Sequence, residues 1–361
     1  MDIFNIYLPI SGIEFNLLVL ISIGFCVGTL GGFFGVGGAW IVTPALNIFG
    51  FNMPFAIGTD LAHIFGKSII ATRKHSKLGN VDFRLGLFSI FGSIIGIEAG
   101  KRFVLLLEQA GNVGPVVRWT YMVFLFGLGS YMMYDYYATV KKQKAGPTEV
   151  DRIDAHQAEA PAEAPAAVAV KLRELNAPPF VSLPASGINR ISFWIVFIIF
   201  LTTGFLSGFM GVGGGFILLP ALIYLLGCPT TVAVGTSLLS VCFMSGYGCF
   251  TYSLSGRTEL LAAMIMLIGA AIGAQVGVLA TRFVHGYGIR LLFAIMIVLA
   301  GCSVALKQIH GYSHINLFGT MAAYMVMLAA GSMTVLIGIK LLIGFRRQKA
   351  ATIAAGKGRR A

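Results

Sequence analysis

The chain has 361 residues, of which 57% are hydrophobic and only 11% charged, and its mean hydropathy is +0.84. Soluble domains carry about 25% charged residues, so one or two water-soluble domains of this length are excluded and an all-α polytopic membrane protein is expected. The net charge of +12 gathers in short loops and at the C-terminal end, where anionic lipid accounts for it, and no nucleic-acid role is expected.

In chain order, apolar segments fall at 14–35, 39–50, 54–73, 83–107 and 116–139, then at 191–211, 215–227, 231–253, 259–281, 289–307 and 316–345. The first has no basic run before it, so it reads as a retained span rather than a cleaved leader. It runs into Gly32-Phe33-Phe34-Gly35-Val36-Gly37-Gly38-Ala39-Trp40-Ile41, followed by Pro44-Ala45-Leu46. The seventh segment opens in the same way, on Gly208-Phe209-Met210-Gly211-Val212-Gly213-Gly214-Gly215-Phe216-Ile217 and Pro220-Ala221-Leu222.

The duplication extends well beyond the glycines. Ala56-Ile57-Gly58-Thr59-Asp60-Leu61 answers Ala233-Val234-Gly235-Thr236-Ser237-Leu238, and Gly79 with Asp82 answers Gly256 with Glu259. Gly92, Gly96, Glu98 and Gly100 answer Gly269, Gly273, Gln275 and Gly277. Spaced identities over about 70 residues make two homologous halves. The expected organisation is a first membrane repeat at 1–144, a flexible cytoplasmic linker at 145–188, a second repeat with a final span at 189–345, and a basic cytoplasmic tail at 346–361. The linker reading rests on its Ala, Pro and Glu content, which builds no core.

Arg73, Lys74, Lys77 and Arg84 form one basic cluster, Lys141, Lys142 and Lys144 a second, Arg282 and Arg290 a third, and the tail a fourth. If every segment crosses, all four lie on one side, which the positive-inside rule assigns to the cytoplasm. Five crossings per repeat is an odd number, so the halves are expected to be inverted. Segments 39–50 and 215–227 supply about 18 to 20 Å of helix against a hydrocarbon core of about 30 Å. They are therefore either short crossings or re-entrant helices, and the expected count is about 8–11 membrane segments.

Duplicated short segments broken by Gly and Pro point to a transporter binding site. Bare backbone at Gly35, Gly37, Gly38 and Ala39, and at Gly211, Gly213, Gly214 and Gly215, leads into restarted helices whose first N–H groups and positive dipole ends suit an anion. Hydroxyls of Thr59, Thr236 and Ser237 would add donors. The competing reading is that the glycines serve close helix packing. Asp60, His63 and Lys67 share one helical face inside a span, either as a polar or proton-coupling pathway or as a structural network. Glu98 is expected to pair within its helix with Lys101 or Arg102. The five cysteines have no metal-ligand spacing and read as free thiols. With no nucleophile-and-base pair and no phosphate loop, neither an enzyme nor a cofactor or metal site is expected.

The paired GGFFGVGGAWIVTPAL and SGFMGVGGGFILLPAL, followed by AIGTDL and AVGTSL, resemble the TauE/SafE family of sulfite and organosulfonate exporters over roughly 15–140 and 190–345. The resemblance implies a permease of a prokaryotic cytoplasmic membrane that moves small sulfur-containing oxyanions outward; a proton or other coupling ion is expected as a partner from Asp60 and His63, not from the resemblance. An anion channel, or a carrier of carboxylate, sulfate or thiosulfate, is the alternative. Ala39 departs from its counterpart Gly215, and the linker is long; oligomeric state is not addressed by the sequence.

Overall fold

The computed structural model describes residues 4–35, 39–144, 169–170, 172, 177–211, 213–284, 286–313 and 315–358. Most of the expected linker, together with Gly37 and Gly38, lies outside the described residues. Each half opens on a small antiparallel hairpin: β1 (Asn5–Leu8) with β2 (Ile13–Asn16), and β3 (Phe180–Leu183) with β4 (Ile188–Ser192). Among the described residues these hairpins are the departure from the all-α expectation. Their tips repeat one motif, Leu8-Pro9-Ile10-Ser11-Gly12-Ile13 and Leu183-Pro184-Ala185-Ser186-Gly187-Ile188.

The first half continues as α1 (Leu17–Phe34), α2 (Ala39–Ile48), α3 (Met53–Lys77), α4 (Phe83–Gln109) and α5 (Val113–Lys144). The second has α6 (Phe193–Met210), α7 (Gly215–Pro220) prolonged by a π turn over Ala221–Leu225, α8 (Thr230–Leu254), α9 (Leu260–Ala280) and α10 (Gly286–Ser313). A final helix, α11 (Asn316–Gly358), runs on past the end of the expected span. Six of these, α1, α6, α8, α9, α10 and α11, are long and apolar enough to cross a membrane. Leu87, Phe91 and Ile95 on α4, and Ile268 and Ile272 on α9, are apolar and exposed, as a lipid-facing surface requires. Glu98 pairs with Arg102 at 2.9 Å as expected, and all five cysteines are free thiols.

The main helix contacts cross between the halves or join equivalent helices: α1 lies along α9, α4 along α6, α3 against α8 and α5 against α10. Glycine makes the two closest of these possible. Gly269, Gly273 and Gly277 of α9 face Ile21, Phe25, Thr29 and Phe33 of α1, while Gly92, Gly96 and Gly100 of α4 face Phe197, Leu201, Phe205 and Phe209 of α6. A β-carbon at any of the six would overlap the opposing backbone, the geometry small residues provide between membrane helices.

Both glycine rows run parallel to the helix they face. In contrast, Leu61 lies against Gly248 and Phe65 against Gly246, so α3 and α8 are antiparallel. The α1–α2 pair returns to where it started, because Phe15 before α1 packs its ring on Phe49 and Phe51 after α2, with centroids 5.6 and 6.2 Å away.

Candidate functional site

The glycine turns end α1 and α6 in the same way. Gly35 and Gly211 both take the left-handed conformation, φ 75° and 77°, and their N–H groups close the helices onto Gly31 and Ser207 carbonyls. That conformation costs roughly 1–2 kcal/mol with a side chain, which explains glycine at both places. Each turn packs on the third helix of the other half. Gly35 abuts Val234, and its carbonyl accepts from Ser237 Oγ at 2.6 Å, while Gly211 abuts Ile57. Gly213 and Gly214 follow at φ 62° and 76°, with Gly214 as the N-cap of α7 and Gly215 its buried first residue. Gly213 touches both Ile64 of α3 and Val241 of α8, so the second turn is seated between the two antiparallel helices. A β-carbon added at Gly214 would meet Met244, the Thr203 carbonyl and Ser207.

Thr59 and Thr236 occupy equivalent but different places. Thr59 Oγ1 accepts the Glu259 N–H at 2.9 Å, and Thr236 Oγ1 accepts the Asp82 N–H at 2.9 Å. The two carboxylates in turn hold the hairpin tips. Glu259 Oε2 takes the N–H groups of Ile10 and Ser11 at 2.7 and 2.9 Å and the Ser11 hydroxyl at 3.3 Å, and Asp82 Oδ2 takes the Ser186 hydroxyl at 2.7 Å. The threonine oxygens are thus engaged as acceptors at the two ends of the α3/α8 pair rather than gathered at one cradle. A second matched set lies nearby, with Tyr252 donating to the Gly208 carbonyl at 2.6 Å and His75 Nε2 lying 3.1 Å from the Gly32 carbonyl.

Between those ends the equivalence breaks. On α3, Asp60, His63 and Lys67 are buried on one face; the matching positions of α8 are Ser237, Ser240 and Met244. Asp60 Oδ2 accepts the Thr43 N–H and hydroxyl of α2 at 3.0 and 2.9 Å, and its Oδ1 lies 3.7 Å from His63 Nδ1. Tyr121 of α5, whose hydroxyl donates to the Met210 carbonyl at 2.8 Å, borders the same carboxylate. Lys67 is 2% exposed, and among the described residues its ammonium makes no hydrogen bond; Asp60 is the acidic group whose charge acts on it. Among the described residues, both His63 ring nitrogens and the hydroxyls of Ser68, Ser207 and Ser240 are likewise buried without a hydrogen-bond partner. A buried ammonium lacking acceptors, among idle hydroxyls, is an arrangement that a bound anion completes.

The sequence singled out Asp60, His63 and Lys67 together, and the structure keeps them together. Thr43, Ser207 and Ser240 were missed. The second and third carried a weak signal, as polar residues on otherwise apolar spans; Thr43 had none beyond its place in the glycine motif. Among the described residues no cluster of His, Cys, Asp and Glu has the geometry of a metal site.

The family model described as "Sulfite exporter TauE/SafE" matches residues 20–304. The chain is 26% identical over 302 residues, 81% of its own length and 99% of the other, to the probable membrane transporter protein YunE of Bacillus subtilis. It is 28% identical over 255 residues, 68% of this chain and 76% of the other, to a probable membrane transporter protein of Methanocaldococcus jannaschii. A probable membrane transporter protein of Xylella fastidiosa is 26% identical over 271 residues, 74% of this chain and 86% of its own. No solved structure matches the chain. A multi-pass helical architecture, a polar interior at a duplicated glycine turn and a family match across both halves agree: the chain is a membrane transporter and belongs to the TauE/SafE sulfite exporter family.

Proposed function

We propose that the protein is a secondary transporter that carries small sulfur-containing oxyanions, sulfite or an organosulfonate first, out of the cell by alternating access. The observation that carries this reading is the Lys67 ammonium, buried and without a hydrogen-bond partner among the described residues, on the face it shares with Asp60 and His63. In the empty carrier, Asp60 is its countercharge. An arriving oxyanion competes with Asp60 for Lys67, and the carboxylate is then most readily accommodated as the neutral acid. Substrate and proton binding are thereby linked, with His63, Lys67 and Tyr121 the titratable groups that border Asp60. Protonation also weakens the charge-assisted bonds from Thr43, so the same event alters the hold of α3 on the short helix α2. Gly213, Gly214 and Gly215, with Ala39 at the equivalent start of α2, supply close backbone approach and N–H groups for the anion, while Gly35 and Gly211, whose own N–H groups bond within α1 and α6, supply the turns.

The transmembrane reading follows from the returning α1–α2 pair. If α1–α2 and α6–α7 are re-entrant and α3, α4 and α5 cross, each half crosses an odd number of times. The halves are then inverted, the N-terminal hairpin is outside, and the basic clusters, linker and tail are cytoplasmic, in keeping with the positive-inside rule. Equivalent states of opposite access arise when the two halves exchange roles.

The test is counterflow in proteoliposomes loaded with unlabelled sulfite, thiosulfate, sulfoacetate, sulfate or acetate, following labelled anion outside. Trans-stimulated uptake of one sulfur oxyanion, lost in Lys67→Met, is expected. Conduction without trans-stimulation would make the molecule a channel, and exchange of acetate alone would replace the substrate class.

A further inference from the structure

The two halves also match at the face where α5 meets α10, and the difference between them there is one of charge. Arg118 of α5 and Arg290 of α10 are equivalent: each stands one residue after a buried aliphatic residue, Val117 or Ile289, and three before a buried aromatic, Tyr121 or Phe293. In the same register Asp135 of α5 answers Lys307 of α10. The packing agrees, since Gly129 lies on Ile297 and Val298 while Gly301 lies on Leu125 and Phe126.

At one end, Arg290 Nη1 is 3.7 Å from Asp135 Oδ2, its Nε donates to Thr230 Oγ1 at 3.0 Å, and Tyr224 donates to the same Asp135 oxygen at 3.0 Å. That cation is neutralised. At the other end the position of Asp135 is taken by Lys307, so Arg118 faces a second cation. Both line one small cavity, about 10 Å³, with Asn47, Ile48 and Met53. Arg118 Nε donates to Gln308 Oε1 at 2.6 Å and its Nη1 lies 3.4 Å from Asn47 Oδ1; among the described residues neither cation has an acidic partner. The C-terminal end of α2 supplies about half an elementary negative charge here, leaving more than one positive charge uncompensated. A cleft of about 690 Å³ reaches Lys307 from outside, passing His310, Asn316 and Thr320.

We propose that Arg118 and Lys307 form a second anion subsite at the α2 end of the molecule, a waiting position for a small oxyanion between the open cleft and the interior site. The anion supplies the charge that Asp135 supplies at the opposite end. The subsite rests on the reading above only for the identity of the anion, because its own argument is the unpaired charge. It also makes the two ends unequal: one closes on an internal ion pair, while the other closes on its cargo.

The test is calorimetric titration of the purified, delipidated full-length protein with sulfite, thiosulfate, sulfate and chloride, and separately with short-chain phosphatidylglycerol. Two binding events are expected for a sulfur oxyanion. Lys307→Asp, which rebuilds at this end the pair seen between Arg290 and Asp135, is expected to remain folded and to weaken one event at least tenfold while sparing the other. Lys307→Gln and Arg118→Gln weaken the same event, and Lys67→Met removes the other. If every anion binds Lys307→Asp as it binds the native chain, or if the Lys307-sensitive event answers only phosphatidylglycerol, the subsite is wrong. If instead Lys67→Met leaves both events intact, the interior site fails and this one stands.

Discussion

Lys67 and Asp60 divide the labour of charge in the interior, and single substitutions separate them. Lys67→Met replaces the ammonium by a side chain that α8 already carries at the equivalent Met244, so insertion and folding are expected to survive. Transport should fall at least a hundredfold in both directions, measured as initial flux in proteoliposomes; native flux would return Lys67 to a structural role. Asp60→Asn imitates the neutral acid. In the native protein, anion affinity should rise as pH falls, because lower pH favours the state in which Asp60 no longer competes for Lys67. In the variant this pH dependence should flatten, and a profile identical to native at an unchanged rate would remove Asp60 from coupling. Gly214→Leu adds a side chain at φ 76°, where a β-carbon lies 2.7 Å from Met244 Sδ. Flux should be abolished with the protein still inserted, as judged by size-exclusion profile.

The helices differ in how their glycines work, and that difference is measurable. Gly273 is pressed onto the backbone of α1 at Phe25 and Thr29, whereas Gly127 of α5 has nothing within 4 Å of its added β-carbon. Overpacking typically costs about 1–3 kcal/mol, and more where backbone rather than a side chain must move. Gly273→Leu should therefore lower the apparent melting temperature or prevent a monodisperse preparation, with Gly127→Leu near native in the same assay. Most helix positions were legible in the sequence to within a few residues, because a span is an apolar run bounded by Gly, Pro and charge: α3 and α8 fell close to the expected 54–73 and 231–253, while α10 and α11 run well past the expected 289–307 and 316–345. The hairpins were not. Strands of four or five residues give too few alternations to register, and the repeated Leu-Pro-x-Ser-Gly-Ile was the only available sign. Asp60, His63 and Lys67 stood out because charge inside an apolar run is rare, but the engagement of Thr59 and Thr236 with loops of the other half had no local trace.

At the scale of the whole molecule, the halves are not side by side but interleaved, each laying its first helix along the fourth helix of the other. This bears on orientation. With α3 and α8 antiparallel and the α1–α2 pair returning to its own start, cysteines placed at Gly111 and Gly256 should be labelled from outside intact cells, and one at Gly79 only after permeabilisation. These three glycines have open space around them, so a cysteine there meets no neighbour, and the cost is the roughly 1–2 kcal/mol of a side chain at positive φ. Labelling of Gly79 and Gly111 positions from the same side would overturn the crossing pattern. The five native thiols set the background and are first measured alone.

The same interleaving sets a timetable for biogenesis. The first helix enters the bilayer with a face whose partner on α9 is completed only when Gly277 has been made. At a synthesis rate of about 5–20 residues per second, the roughly 240 intervening residues take about 12 to 50 seconds. For that interval α1 stands in lipid with Gly24, Gly28 and Gly32 bare, open to association with the wrong helix or to quality-control proteolysis. Cutting the chain within the segment between α5 and α6 would then yield two pieces that are each short-lived alone and that rescue one another when made together, since each carries the helix the other is missing.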